Sequence, residues 1–358
     1  MKKRFILKKG DSQKFWNIEF YSCEFTVTYG KLGTEGKISS KNFTSAEKCE
    51  KKVIKLIADK IKKGYKEIEE NAMENNIKNE KIDNKRYHFD YDEGNVEDLA
   101  EKILTDPCLP DLKSITVGSW GESFETNPQK IIQMIIDNKE KFQHVESLFI
   151  GDMDYEDCEV SWIIQGDYSQ LFGMLPNLKV LKIKGAQSLV LGENIEHNSL
   201  KEFQIICGGL GRDVLKSIKS AKFPSLEKLL LYIGVDDYGM DFDISELKEI
   251  AKKDLFPNLT YLGFVDSDEE NRIVDIILES DILPQLKIVD FSFGCLTDEG
   301  AKKLIDNKDK LAHLEKIIIE YHYISLDMIK ELKSLPIEIN IKKGEDPEND
   351  YMYPMLTE

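Results

Sequence analysis

The sequence predicts two folded units of different class: a small α+β module, an antiparallel sheet with one helix, followed by an α/β solenoid whose parallel strands line a concave face. Three observations predict this. Within residues 1–66, apolar residues alternate with a period of two and then switch to helical spacing. From Leu112 onward, one apolar triad recurs eight times. Charge divides along the same boundary. Residues 1–80 hold 18 Lys and Arg against 12 Asp and Glu, a net +6; chain totals of 49 and 66 leave 31 against 54, a net −23, for the rest. A basic module beside an acidic one can meet a polyanion, while the acidic one repels nucleic acid and attracts basic or neutral partners.

At 358 residues and 41% apolar content, the chain has room for two substantial cores and an ordinary globular composition. The start, Met1 to Lys9, is basic, but only Phe5-Ile6-Leu7 follow before lysine returns, so no signal peptide is expected. Apolar runs such as Ile131 to Ile136 fall far short of the roughly 20 residues that cross a bilayer, so no membrane association is expected. Six cysteines are scattered without a CxxC pair, which predicts free thiols in a reducing cytoplasm and neither zinc nor redox chemistry.

In the first unit, Phe5/Leu7, Trp16/Ile18/Phe20 and Phe25/Val27/Tyr29 predict successive antiparallel strands, and Ile38 to Phe43 a further extended run. Thr44 with Glu47 has the form of a capping box. Ala46, Cys49, Val53, Leu56, Ile57 and Ile61 then place one apolar helix face over the sheet, up to a stop at Gly64. Phe15-Trp16-Asn17-Ile18, then Tyr29-Gly30-Lys31-Leu32-Gly33-Thr34-Glu35-Gly36-Lys37, Phe43, Ala46, Lys60 and Gly64-Tyr65 resemble a WGR domain across about 65 residues. The name-giving tripeptide of that family, Trp-Gly-Arg, stands here as Tyr29-Gly30-Lys31. In DNA-damage-activated poly(ADP-ribose) polymerases this domain touches a DNA strand end, so the resemblance implies a nucleic-acid surface at Tyr29, Gly30, Lys31 and Lys37. Physically, tyrosine keeps a ring for stacking, whereas lysine supplies a point charge in place of arginine's planar fork. A role facing protein alone is the other reading. No ADP-ribosyl-transferring region follows.

The assignment runs 1–66 for the WGR-like domain, 67–86 for a polar linker, 87–343 for the solenoid and 344–358 for an acidic tail. The triads are Leu112/Ile115/Val117, Val145/Leu148/Ile150, Leu178/Leu181/Ile183, Leu200/Phe203/Ile205, Leu226/Leu229/Leu231, Leu259/Leu262/Phe264, Leu286/Val289/Phe291 and Leu314/Ile317/Ile319. Pro176, Pro224, Pro257 and Pro284 sit just before four of them, where a missing N–H ends the preceding helix. Helices are expected near 129–138, 213–220, 245–253, 272–279 and 297–306, and Ile337/Ile339/Ile341 form a last strand. The tail is expected to be weakly ordered unless Tyr351-Met352-Tyr353 docks back. Phe291 to Ala301 resembles the ribonuclease-inhibitor class of leucine-rich repeats. A WGR module joined to such an array resembles bacterial proteins of which some bear the label molybdate metabolism regulator; nothing in these residues points to molybdate.

No catalytic motif emerges: the five histidines lack ligand spacing, there is no phosphate loop or nucleophile elbow, and Gly208-Gly209-Leu210-Gly211 lacks dinucleotide spacing. Two acidic loops, Asp152 to Glu156 and Asp266 to Glu270, depart from the calcium-loop pattern and read as solvated rim loops. The chain is therefore expected to be no enzyme and to need no cofactor or metal. Side chains flanking the third triad position point to the concave face, with Trp120 just beyond the first strand. Trp120, Phe149, Lys182, Lys184, Ile206, Leu230, Tyr232 and Ile318 are thus the candidate partner-binding residues, apolar surface framed by charge. The function expected is an adaptor: a protein partner on the leucine-rich-repeat concave face, and DNA or RNA, or a second protein, at the amino-terminal domain. A protein-only scaffold is the alternative.

Overall fold

A computed structural model describes residues 2–9, 12–21, 24–31, 37–42, 46–68, 83–91, 93–349 and 351–357. The loop 32–36, Thr44 of the expected capping box and most of the expected linker lie outside them. The chain divides into two compact units, residues 1–82 and 83–358.

The first unit contains β1 (Lys2–Lys9), β2 (Ser12–Tyr21), β3 (Glu24–Lys31), β4 (Lys37–Asn42), α1 (Ala46–Lys62) and β5 (Lys66–Ile68). The sheet runs β4-β3-β2-β1-β5, and every pairing is antiparallel. Strand β5 pairs with β1 through Arg4 and Ile68, so the start of the expected linker belongs to the sheet. The core is small: Phe5, Trp16, Ile18, Phe25 and Val27 from the strands, Cys49 and Val53 from α1, with Leu56, Ile57 and Tyr65 packed beside them. Ile61, expected under the helix, is half exposed at 51%. The last turn of α1 is used differently: Lys60 Nζ lies 5.1 Å from the Trp16 ring centre and 4.9 Å from that of Tyr65, sealing the core with cation–π contacts. Gly64, at φ +87°, adopts the left-handed conformation that stops the helix.

The second unit is one ten-stranded sheet, wholly parallel and in chain order. Its strands are β6 (Asn84–Phe89), β7 (Ser114–Trp120), β8 (Ser147–Ile150), β9 (Val180–Lys184), β10 (Glu202–Ile206), β11 (Lys228–Gly234), β12 (Tyr261–Ser267), β13 (Ile288–Asp290), β14 (Lys316–His322) and β15 (Glu338–Gly344). Between them come α2 (Val96–Leu104), α3 (Gln129–Asp137), α4 (Leu171–Met174), α5 (Arg212–Lys219), α6 (Glu270–Glu279), α7 (Asp298–Asp306), α8 (Lys308–Leu311) and α9 (Leu326–Leu332). The second position of each of the eight triads falls on one of β7 to β14, with the first position two residues before the strand and Phe291 just past β13, and all three positions fill one buried core with the apolar faces of the helices. The stretch 245–253, expected to be helical, is a 3-10 segment over Ile244–Glu249. Strand β6 begins at Asn84, inside the stretch assigned to the linker. It lacks the leucine triad, and only Tyr87 and Phe89 mark its alternation.

Candidate functional site

Two surfaces emerge from this architecture, one in each unit. In the first, the cross-strand row Phe5, Trp16, Tyr29 and Lys37 pairs directly through β1 to β4, and directly opposed residues share a sheet face. Phe5 and Trp16 are buried in the core they share with Cys49 and Val53 of α1, while Tyr29 is 43% exposed and Lys37 is exposed. Lys31, two residues after Tyr29, lies on the same face and pairs with Lys14 of β2. Gly30 lies between them on the opposite face, opposite Phe15. The structure therefore brings Tyr29, Lys31 and Lys37 together around one exposed ring. It adds Lys14, which its place in the Lys14/Trp16/Ile18 alternation could have revealed. A ring on a platform of lysines is suited to a base or sugar beside phosphates.

In the second unit, Arg86, Thr116, Phe149, Lys182, Gln204, Leu230, Gly263, Asp290, Ile318 and Asn340 form one row of direct partners across all ten strands. Phe149, Lys182, Lys184, Ile206 and Ile318 are half-buried, on the side away from the core, while Tyr232, also half-buried, packs against the core and stacks on Phe293 at 5.7 Å. Two expectations need correction. Trp120 is wholly buried, with its indole N–H donated to the Thr126 carbonyl at 3.1 Å, because β7 runs on into the core after Gly118. Leu230 is only 8% exposed, lying opposite Gly263 with its side chain where a Cβ on that glycine would fall. Around these side chains, Glu202 joins Lys182 at 3.2 Å and Lys228 at 3.6 Å. Lys228 lies 4.6 Å over the Tyr261 ring, whose hydroxyl donates to Asp290. Burial raises the carboxyl of Asp290 above its ordinary range, against the opposing bonds from Ser292 and Tyr261.

The two acidic loops differ. In the first, Arg86 Nε grips Asp152 at 2.8 Å and Lys184 donates to the Met153 carbonyl, so basic neighbours balance its charge. Beside it His88, Asp90 and Asp157 come within ligand distance of one another. The Ser119 N–H donates to His88 Nδ1 at 3.0 Å, which leaves Nε2 as the donor to Asp90 at 3.0 Å. A metal on Nε2 would need the opposite tautomer, so these residues fit a hydrogen-bonded cluster and not a metal centre. In the second loop, Asp266 and Glu270 are not solvated but wholly buried. Desolvation lifts the Asp266 carboxyl to about 7, despite the bond from the Leu356 amide, and lifts Glu270 well above its ordinary range.

Three non-glycine residues just past the strand cores are left-handed: Asp266 at φ 61°, Phe293 at 70° and Tyr321 at 65°. Such strain is of order 1–3 kcal/mol each and persists where the surroundings demand it. At the same strand ends the acidic tail docks back, through Tyr353 against Tyr321 and Tyr323. A cavity of about 530 Å³ lies nearby, lined by Trp162, Gln187, Gly208, Gly209 and Tyr238 among others. The start of α5 beside it is no anion site, since the Arg212 N–H already donates to the Asp241 carboxylate.

Residues 3–72 match the family model of the WGR domain. In Escherichia coli K12, the uncharacterized protein YfeS is 49% identical over 67 residues, 19% of this chain and 28% of that protein. Protein YehF of the same organism is 40% identical over 65 residues, 18% of this chain and 24% of its own length. The chain thus spans about a quarter of each of these curated relatives. The crystal structure of a Bacteroides fragilis protein is 45% identical over the whole of both chains, with a TM-score of 0.74. By that full-length match the chain belongs to the family of the Bacteroides fragilis protein, and it has a WGR domain at its amino terminus.

Proposed function

We propose that the chain is a non-enzymatic, cytoplasmic adaptor, with residues 83–358 forming a leucine-rich-repeat solenoid of the ribonuclease-inhibitor kind that holds a protein on its concave face. The WGR domain then contacts a DNA or RNA strand through Tyr29, Lys31 and Lys37. The observation that supports this best is the side of the ten-stranded sheet away from the core, where Phe149, Ile206 and Ile318 stand half-buried among Lys182, Lys184 and Glu320. Apolar anchors inside a charged surround are the composition of a protein interface. A protein-only scaffold is favoured by one observation: Lys31 stands where the family motif has arginine, and it cannot make a two-pronged phosphate contact. The reading does not extend to molybdate.

Site-specific photo-crosslinkers at Phe149 and Ile206, compared with one at exposed Val190, test the protein-binding half in living cells. Crosslinks to one protein from the first two positions and none from the third are expected. Equal labelling from all three would remove the concave face from the account.

A further inference from the structure

We propose that the ends of β12 to β14 form a groove for an extended peptide in trans, and that the chain's own last residues occupy it. This rests on the reading of residues 83–358 as a partner-binding unit and names the kind of partner. The Tyr321 and Tyr323 hydroxyls both donate to the Tyr353 carbonyl at 3.1 Å, and the Tyr353 N–H donates back to the Tyr323 hydroxyl at 3.1 Å. The Met355 N–H donates to the Phe293 carbonyl at 2.7 Å. The Leu356 N–H donates to Asp266 Oδ1 at 2.9 Å. Thr357 then passes so close to Gly208 that a Cβ there would meet its carbonyl oxygen at 2.7 Å.

Each of these bonds is made to tail backbone, and the three left-handed residues Asp266, Phe293 and Tyr321 each supply one. The backbone strain at the strand ends therefore falls where the groove's donors and acceptors are needed. Tail side chains alternate as a strand's do: Pro354 is buried and Met352 and Leu356 half-buried, while Tyr351, Tyr353 and Met355 are 72%, 61% and 45% exposed. Backbone capture with pockets for every second side chain is how proteins hold extended peptides, and it does not depend on the tail's full sequence.

Charge indicates what replaces the tail. Residues 344–358 contain five acidic residues and no basic one, on a unit that is itself strongly acidic. A peptide with apolar residues or proline at alternate positions and lysines or arginines at its flanks gains attraction where the resident tail meets repulsion.

The test compares the intact chain with one ending at residue 349. The probes are a labelled peptide of residues 349–358 and the same peptide carrying Asp350→Lys and Glu358→Lys, followed by fluorescence anisotropy. The shortened chain is expected to bind both, the lysine form at least tenfold more tightly, and the intact chain at least tenfold more weakly than the shortened one. A shortened chain that unfolds cooperatively yet binds neither peptide overturns the proposal. Should it fail to fold, hydrogen exchange on the intact chain decides: Tyr321→Phe with Tyr323→Phe is expected to speed exchange at the Met355 and Leu356 amides, and unchanged exchange overturns it. Phe149→Glu separates this inference from the wider reading, since it is expected to abolish crosslinked capture and leave peptide binding intact. Failure of peptide binding with capture preserved sinks the groove alone.

Discussion

The two units solve the same problem, hiding apolar surface, by opposite means. The WGR domain closes an antiparallel sheet with one helix over a small core, seven buried residues among the described ones, so each of them matters. The parallel unit lays down ten strands joined by nine connections, and its one continuous core is many times larger. In the first, identity resides in a local motif, and in the second it resides in a period. A lost side chain should therefore damage the units unequally, and the largest expected effects test that directly. Trp16→Ala and Leu229→Ala each remove a buried side chain and should cost about 3–5 and 2–5 kcal/mol respectively. In urea titrations of the full chain followed by residue-resolved exchange, Trp16→Ala should unfold residues 1–68 while leaving the parallel unit's transition in place. One shared transition for both variants would break the comparison.

Buried acid separates the units next. Asp266 keeps its proton up to about pH 7 in the folded state, whereas in the unfolded chain it releases it near its ordinary value of 3.8. The folded state therefore binds more protons over that interval, and the contribution of Asp266 to stability falls as pH rises from about 4 to 7, by on the order of 4 kcal/mol. His197 and His322 have lowered values because burial disfavours their charged form, and they act oppositely, losing stability as pH falls below about 6.5. Comparing Asp266→Asn with the parent by denaturation at pH 4.5 and pH 7.5 isolates the acid: the variant should gain on the parent at the higher pH. An identical difference at both would show that Asp266 titrates normally. A smaller effect belongs to the cap of α2, where Asn95 and Asp98 exchange side-chain-to-backbone bonds. Asn95→Ala should cost about 1 kcal/mol, read as a shift in the urea midpoint of the parallel unit alone.

The same contrast explains what could be read in advance. The triads placed eight of ten parallel strands because a leucine or its equivalent must return to the core at each turn. Strand β6 escaped because Tyr87 fills its core position with an aromatic, its hydroxyl donating to Asp106 at 2.7 Å. Short β5 escaped because three residues show no period. At the candidate surfaces, the motif pointed to Tyr29 and Lys31, but Lys14 reaches them only through strand pairing. Trp120 was misplaced because continuing the strand past Gly118 turns alternation into full burial, which one sequence does not reveal. Asp266 and Glu270 looked solvated because their spacing resembles a surface loop. Only the returning tail and the surrounding strands show that they are inside.

One measurement tests most directly the proposal that the small basic unit meets nucleic acid while the acidic unit meets protein. Fluorescence-anisotropy titration of the full chain against short single-stranded and nicked DNA, at low and high salt, should give binding that weakens steeply as salt rises. Lys31→Ala and Lys37→Ala should each lower the slope of log affinity against log salt by about one, and Tyr29→Ala should weaken binding at every salt concentration. Absence of binding even at low salt, or binding untouched by all three substitutions, would contradict the account and leave the chain a protein-only scaffold.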